Sequence, residues 1–168
     1  MAATILIADD DAVQRRLVEN MVQRGGYEAV VVDSGDAAQA RLTDPDATPI
    51  DAVVLDLVMP GLDGMGVLSG MREAGLNTPV IVQTAHGGID NVVSAMRAGA
   101  HDFVVKPVGA ERLHVSLRNA LNTSALKGEL QRIRHSREGK LTFADIVTRN
   151  EAMAAVLRTA RKAAASTI

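Results

Sequence analysis

The chain contains no cysteine and no tryptophan. Disulfides, thiolate metal centres and cysteine nucleophiles are therefore excluded, and the composition fits a reducing compartment. Tyr27, Phe103 and Phe143 are its only aromatic residues, too few for a platform that stacks the bases of a single strand. Long apolar runs are also missing. The N-terminal TILIA has no basic flank and meets Asp9, Asp10 and Asp11 after five residues, so it reads as neither a signal peptide nor a membrane span. The stretch AVVLDLVM has only strand length. A soluble, cytoplasmic protein with no membrane partner is the expectation.

What is present is a 168-residue chain that is 47% hydrophobic and 23% charged. That is enough for one sizeable core and less than two ordinary domains would fill. The formal charge of −2 conceals an asymmetry. Residues 1–126 hold nine basic and sixteen acidic side chains, a balance of −7, whereas residues 127–168 hold nine and four, a balance of +5. Two units with different roles, or a solvated charged helix in the tail, account for this.

Short β-branched apolar runs alternate with helical patterns. The expected strands are 4–8, 28–33, 52–55, 79–83 and 102–105. The expected helices are 12–24, a short one capped by Ser34 or Asp36 and ending at Leu42, 63–73, 89–98 and one that begins at Ala110. In the first helix, Val13, Leu17 and Met21 form the apparent apolar stripe. Five strands alternating with five helices through short loops predict a doubly wound α/β domain with a parallel sheet over about residues 1–122.

In such a sheet the working crevice lies at the carboxyl ends of the strands. Asp9, Asp10 and Asp11 follow the first strand, Asp56 the third, Thr84 the fourth, and Lys106-Pro107 the fifth. Singly, each of these has an ordinary reading as a helix cap, a turn residue or a strand exit. Together they place several carboxylates, a hydroxyl and an ammonium in one crevice. Clustered carboxylates repel unless a cation sits among them, and Mg²⁺ suits an all-oxygen site that retains water. A hydroxyl and a lysine beside a metal are the parts that hold a phosphoryl group. With no serine, cysteine or threonine–histidine pair nearby, Asp56 is the candidate nucleophile, forming an acyl phosphate. Three aspartates after the first strand exclude a dinucleotide fingerprint, and the glycines at 61, 64 and 66 have the wrong spacing for one. No phosphate-binding G-x-x-x-x-G-K-[ST] loop is present. The four histidines, at 86, 101, 114 and 135, lack metal-ligand spacing and read as surface or loop residues.

These segments resemble the receiver domain of two-component response regulators over about residues 3–122. ILIADDD resembles the acidic pair, at Asp9 and Asp10. VVLDLVMPGLDG resembles the phosphoacceptor loop, at Asp56. PVIVQTAHG resembles the switch-threonine motif, at Thr84 and Ala85. AHDFVVKP resembles the switch-aromatic and lysine motif, at Phe103 and Lys106, with a cis Lys106–Pro107 bond. The resemblance implies a flavodoxin-like sheet of order 2-1-3-4-5 and a histidine kinase as phosphoryl donor. It further implies Mg²⁺ held by Asp10, Asp56 and the Val58 carbonyl, with Asp9 acting mainly through metal-bound water. It implies a switch in which Thr84 and Phe103 move and alter the face of the fourth helix, fifth strand and fifth helix. Val58 and His86 occupy positions at which the family tunes hydrolysis, and apolar Val58 cannot orient water, so slow self-dephosphorylation is expected.

The tail carries a second apolar stripe, Leu126, Leu130 and Ile133, on a linker helix over 123–139 that suits either coiled-coil pairing into a homodimer or packing of its leucines against its own domain. Beyond it, TFADIV and a helical stripe of Met153, Val156, Leu157, Ala160 and Ala164, capped by Asn150, resemble the start of the AAA+ domain of NtrC-type activators of σ54 RNA polymerase, over 140–168. No helix-turn-helix is evident, so direct DNA binding by these residues is not expected. The alternatives are a stand-alone receiver acting through protein binding and a phosphate-ester hydrolase. The latter is disfavoured by the lack of a second acid beside the nucleophile.

Overall fold

A computed structural model describes residues 2–85, 89–137, 156 and 160, without the side chains of 89 and 131–137. The element order is β1 (Thr4–Ala8), α1 (Ala12–Arg24), β2 (Glu28–Val32), α2 (Gly35–Thr43), β3 (Ala52–Asp56), α3 (Gly64–Glu73), β4 (Val80–Thr84), α4 (Ile89–Arg97), β5 (Asp102–Val105) and α5 (Ala110–Arg137). All strand pairs are parallel, in the order β2-β1-β3-β4-β5. This is the doubly wound architecture expected from the alternating pattern, and Ala2–Ser124 forms a compact unit. His86, most of residues 140–168 and the side chain of Ile133 lie outside the described residues.

The period of two along each strand sorts the core into two layers. Ile5, Ile7, Ala52, Val54, Ile81 and Val104 pack with Val18 and Val22 of α1 and Leu113, Leu117 and Ala120 of α5. Leu6, Ala8, Val53, Leu55, Val80 and Val82 pack with Val67, Leu68 and Met71 of α3 and with Ala38 and Ala95. β1, β3 and β4 are buried throughout, as central strands covered on both faces must be.

Helix boundaries follow from local hydrogen-bond demand. Ser34 Oγ accepts from the Ala37 amide, and Asp63 Oδ1 accepts from the Gly66 amide at 2.8 Å, so each side chain satisfies an otherwise unpaired helix N–H. α1 starts at Asp11, whose Oδ1 accepts from Val13 and Gln14. These N–H bonds, Gln14 first, hold its carboxyl below the usual range.

Two expectations are corrected. The buried stripe of α1 is Val18 and Val22, with Met21 partly buried against the same layer, while Val13 and Leu17 are 68% and 47% exposed. Arg15 lies at i, i+3 and i+7 with Val18 and Val22. Its Nη1 donates to the carbonyls of Asp9 at 2.7 Å and Asp10 at 3.4 Å, which turns that face toward the sheet. His114 is not a loop residue. It stands half-buried on α5, with Nε2 2.6 Å from the Met21 carbonyl at the end of α1.

Candidate functional site

The register carries Asp9 and Asp56 to one level, with Thr84 and Lys106 one and two residues further along. Ala8 pairs with Leu55, Asp56 with Gln83, and Thr84 with Val105. One step beyond Ala8 and Leu55 stand Asp9 and Asp56. Parity puts both on the α1/α5 face, continuing the rows Ile5–Ile7 and Ala52–Val54. Lys106 extends the Val104 row in the same way, and its amide donates to the Thr84 carbonyl at 2.8 Å.

With the helix cap supplied by Asp11, Asp9 and Asp10 are free for other work. Carboxylate oxygens of Asp9, Asp10 and Asp56 all lie within 4.8 Å of one another. Asp9 and Asp56 are buried and Asp10 is exposed. Asp9 Oδ1 accepts from the Asp11 amide at 2.9 Å, and Asp56 Oδ1 accepts from the Val58 amide at 3.1 Å. Lys106 Nζ bridges the pair, 2.8 Å from Asp9 Oδ2 and 2.6 Å from Asp56 Oδ2. The Lys106–Pro107 peptide is cis.

Electrostatics divides these groups. Burial pushes the Asp9 carboxyl above the ordinary carboxylate range, against the Lys106 hydrogen bond and the Asp11 N–H that pull it down. Burial also acts to lower the Lys106 ammonium, but the hydrogen bonds to Asp56 and Asp9 outweigh it and the net shift is upward. The crevice is therefore a desolvated anionic pocket with one internal cation. Three hard oxygen donors, one exposed to water, fit a divalent cation that keeps part of its hydration shell.

The loop after β3 is built around glycine. Gly61 has φ +73° in the Met59-Pro60-Gly61 turn. A Cβ on Gly64 would run into the Asp56 carbonyl oxygen and lie 2.8 Å from Leu57 Cα, so α3 packs directly on the backbone at the end of β3. Val58 is 69% exposed at the mouth of the site.

Thr84 is buried, and its hydroxyl donates to the adjacent Ala85 carbonyl at 3.2 Å. Phe103 is on β5 with its ring partly exposed. Leu126 and Leu130, one turn apart on α5, are 62% and 57% exposed. Sequence reasoning missed three groups. Arg15 clamps the Asp9–Asp10 backbone. Asp102 accepts from Arg112 and Ser116 of α5, while Arg112 also reaches the Phe103 carbonyl at 3.1 Å. Gln83 is a fully buried amide in an apolar strand. The visible signal for Gln83 was a lone polar residue inside PVIVQT.

The family model for the response regulator receiver domain matches residues 5–118. The chain is 30% identical to the regulatory protein AtoC of Escherichia coli K12 over 162 residues, which cover 96% of this chain and 34% of AtoC. It is 34% identical to the chemotaxis protein CheY of Bacillus subtilis over 122 residues, 73% of this chain and all of CheY. A crystal structure of NtrX from Brucella abortus in complex with ADP superposes with a TM-score of 0.74 at 33% identity, covering 99% of this chain and 35% of NtrX. The chain thus spans about a third of AtoC and of NtrX.

Proposed function

Because the chain belongs to the response regulator receiver domain family, we propose that it is a phosphorylation switch in which Asp56 receives the phosphoryl group of a histidine kinase. The observation that carries this reading is the Lys106 bridge between Asp9 and Asp56 inside a cluster of three carboxylates. Buried carboxylates need compensating charge and hydrogen bonds. Here one ammonium serves two, and a third carboxylate faces water.

Asp10, Asp56 and the Val58 carbonyl would hold Mg²⁺ directly, and Asp9 would act through its water. When bound, the ion neutralises charge on the phosphoryl oxygens. Asp56 attacks phosphorus, the phosphorus–nitrogen bond of the phosphohistidine breaks, and the imidazole leaves. Lys106 follows the charge onto the phosphoryl group. The Thr84 hydroxyl exchanges the Ala85 carbonyl for a phosphoryl oxygen, and the Ala85 amide assists. Phe103 then moves into the space Thr84 vacates, altering the face of α4, β5 and α5, where Val93, Met96, Phe103 and Val105 are exposed. Water ends the state by hydrolysis of the acyl phosphate, returning Asp56 to its carboxylate. Incubation with acetyl phosphate and Mg²⁺, read by mass spectrometry, is expected to add one phosphate to the native chain and none to Asp56→Asn. Equal labelling of both overturns the reading.

Val58 offers no polar atom beyond its backbone to aim water at phosphorus. The expected lifetime of the phosphorylated chain is minutes or longer. Decay within seconds after removal of acetyl phosphate refutes this.

The likeness to AtoC and NtrX along nearly the whole chain favours a larger σ54-dependent transcription activator, cytoplasmic, over a stand-alone receiver. In this reading residues 1–122 are the receiver, 123–139 a linker helix and 140–168 the start of an AAA+ domain. Leu126 and Leu130, with Ile133 in the same stripe, pair two copies. Light scattering is expected to give a dimer for 1–168 and a monomer for a chain ending at Ala125. Two monomers at high concentration would abandon the pairing. Among the described residues, no helix is long and apolar enough to cross a membrane.

A further inference from the structure

Arg15 is a half-buried residue near the start of α1, close to three aspartates, yet among the described residues it forms no ion pair with any of their carboxylates. Its Nη1 instead donates to two backbone carbonyls, those of Asp9 at 2.7 Å and Asp10 at 3.4 Å. These carbonyls belong to the peptide planes on either side of the Asp10 Cα. Peptide planes are rigid, so one group that holds both restrains φ and ψ of Asp10, and with them the direction of its Cα–Cβ bond. The Arg15 amide also donates to the Asp11 carbonyl at 2.9 Å, which anchors the helix carrying the guanidinium to the same loop.

Asp10 depends on that restraint more than the other carboxylates do. The Asp9 carboxylate is held by the Asp11 amide and Lys106, and that of Asp56 by the Val58 amide and Lys106. Asp11 is held by the amides of Val13 and Gln14. The Asp10 carboxylate is exposed and has no hydrogen bond or ion pair among the described residues. Its backbone alone aims it into the cluster.

Resting on the Mg²⁺ reading of the site, we propose that Arg15 is a positioning residue for the metal: by holding the carbonyls of Asp9 and Asp10 it aims the Asp10 carboxylate at the cation. Groups that orient a metal ligand without touching the metal are worth about 10- to 100-fold in affinity. Charge alone predicts the opposite effect. A guanidinium repels a dication, so its removal by itself would tighten binding. The sign of the change separates the two roles.

The test is a Mg²⁺ titration of the 1–168 chain, followed by the backbone amide resonances of Asp10, Asp11, Asp56 and Val58 and run well below the thermal midpoint of each variant. Arg15→Met keeps most of the stem and removes the donors. It is expected to weaken Mg²⁺ binding about tenfold. Arg15→Lys keeps the charge but ends one bond short of the carbonyls, and an intermediate loss of about fivefold is expected. Arg16→Met removes an exposed charge at the next position and is expected to leave the affinity native. Native or tighter affinity in Arg15→Met overturns the proposal, as does an equal loss in Arg16→Met. Should Arg15→Met fail to fold, native affinity in Arg15→Lys overturns it. If the native chain itself shows no Mg²⁺-dependent shifts, the metal reading falls, and this inference with it.

Discussion

Lys106→Met is expected to destabilise the metal-free chain by about 3 kcal/mol at neutral pH, the cost of stripping a shared partner from desolvated carboxylates. Its ammonium is the only cation paired with Asp9 and Asp56 among the described residues, and Asp9 is fully buried. The lysine retains 18% side-chain exposure, which keeps the figure at the low end of the range for buried pairs. The pH dependence carries a definite sign. Burial already holds the Asp9 pKa above its ordinary value, and losing Lys106 raises it further. A carboxyl whose folded pKa exceeds its unfolded one favours the fold when protonated and opposes it when ionised. The deficit is therefore present above the raised Asp9 pKa and shrinks as pH falls through it. Urea titrations at neutral and acid pH check this, and Mg²⁺ is expected to restore part of the loss at neutral pH. A deficit that does not change with pH would mean that Lys106 stabilises through its aliphatic stem rather than its charge.

Gly64→Ala is the second large effect, again of about 3 kcal/mol. The added methyl meets the Asp56 carbonyl and Leu57 Cα, which are backbone atoms and cannot rotate away. Relief requires α3 to move off the β3 loop, which disturbs Val67, Leu68 and Met71 in one core layer. It also moves the segment that carries Asp56 and Val58. Phosphorylation by acetyl phosphate is expected to slow markedly even where the variant remains folded. Native-like rates together with native-like stability would show that the loop absorbs the methyl.

The alternation of apolar runs and helical stripes made β1, β3 and β4 legible because central parallel strands are buried on both faces and need an unbroken apolar sequence, while the edge strands β2 and β5 were legible from their short β-branched runs. The candidate site was legible because its residues stand at or just beyond the carboxyl ends of the strands, where parallel geometry brings them together. α1 was misread for a specific reason. Its sequence offers two stripes, Val13-Leu17-Met21 and Val18-Val22, and hydrophobicity favours the first. The buried face is the one that also carries Arg15, which reaches the Asp9 and Asp10 carbonyls, a contact that periodicity does not encode. The Asp102–Arg112–Ser116 cluster was hidden likewise, since its members lie 10 and 14 residues apart on different elements. The sharing of Lys106 between two carboxylates depends on strand order, and no local pattern expresses it.

The strand order also sets a schedule for the nascent chain. Asp9 leaves the ribosome nearly a hundred residues ahead of Lys106, and Asp56 fifty ahead. Until β5 has emerged and docked on β4, the two carboxylates have no counterion inside the domain, and closing the crevice early would bury like charges together. β1, β2 and β3 can pair among themselves first, but the crevice at their carboxyl ends stays open to water until the last strand delivers its lysine. The polar end of the sheet thus gains its internal counterion only with its final strand.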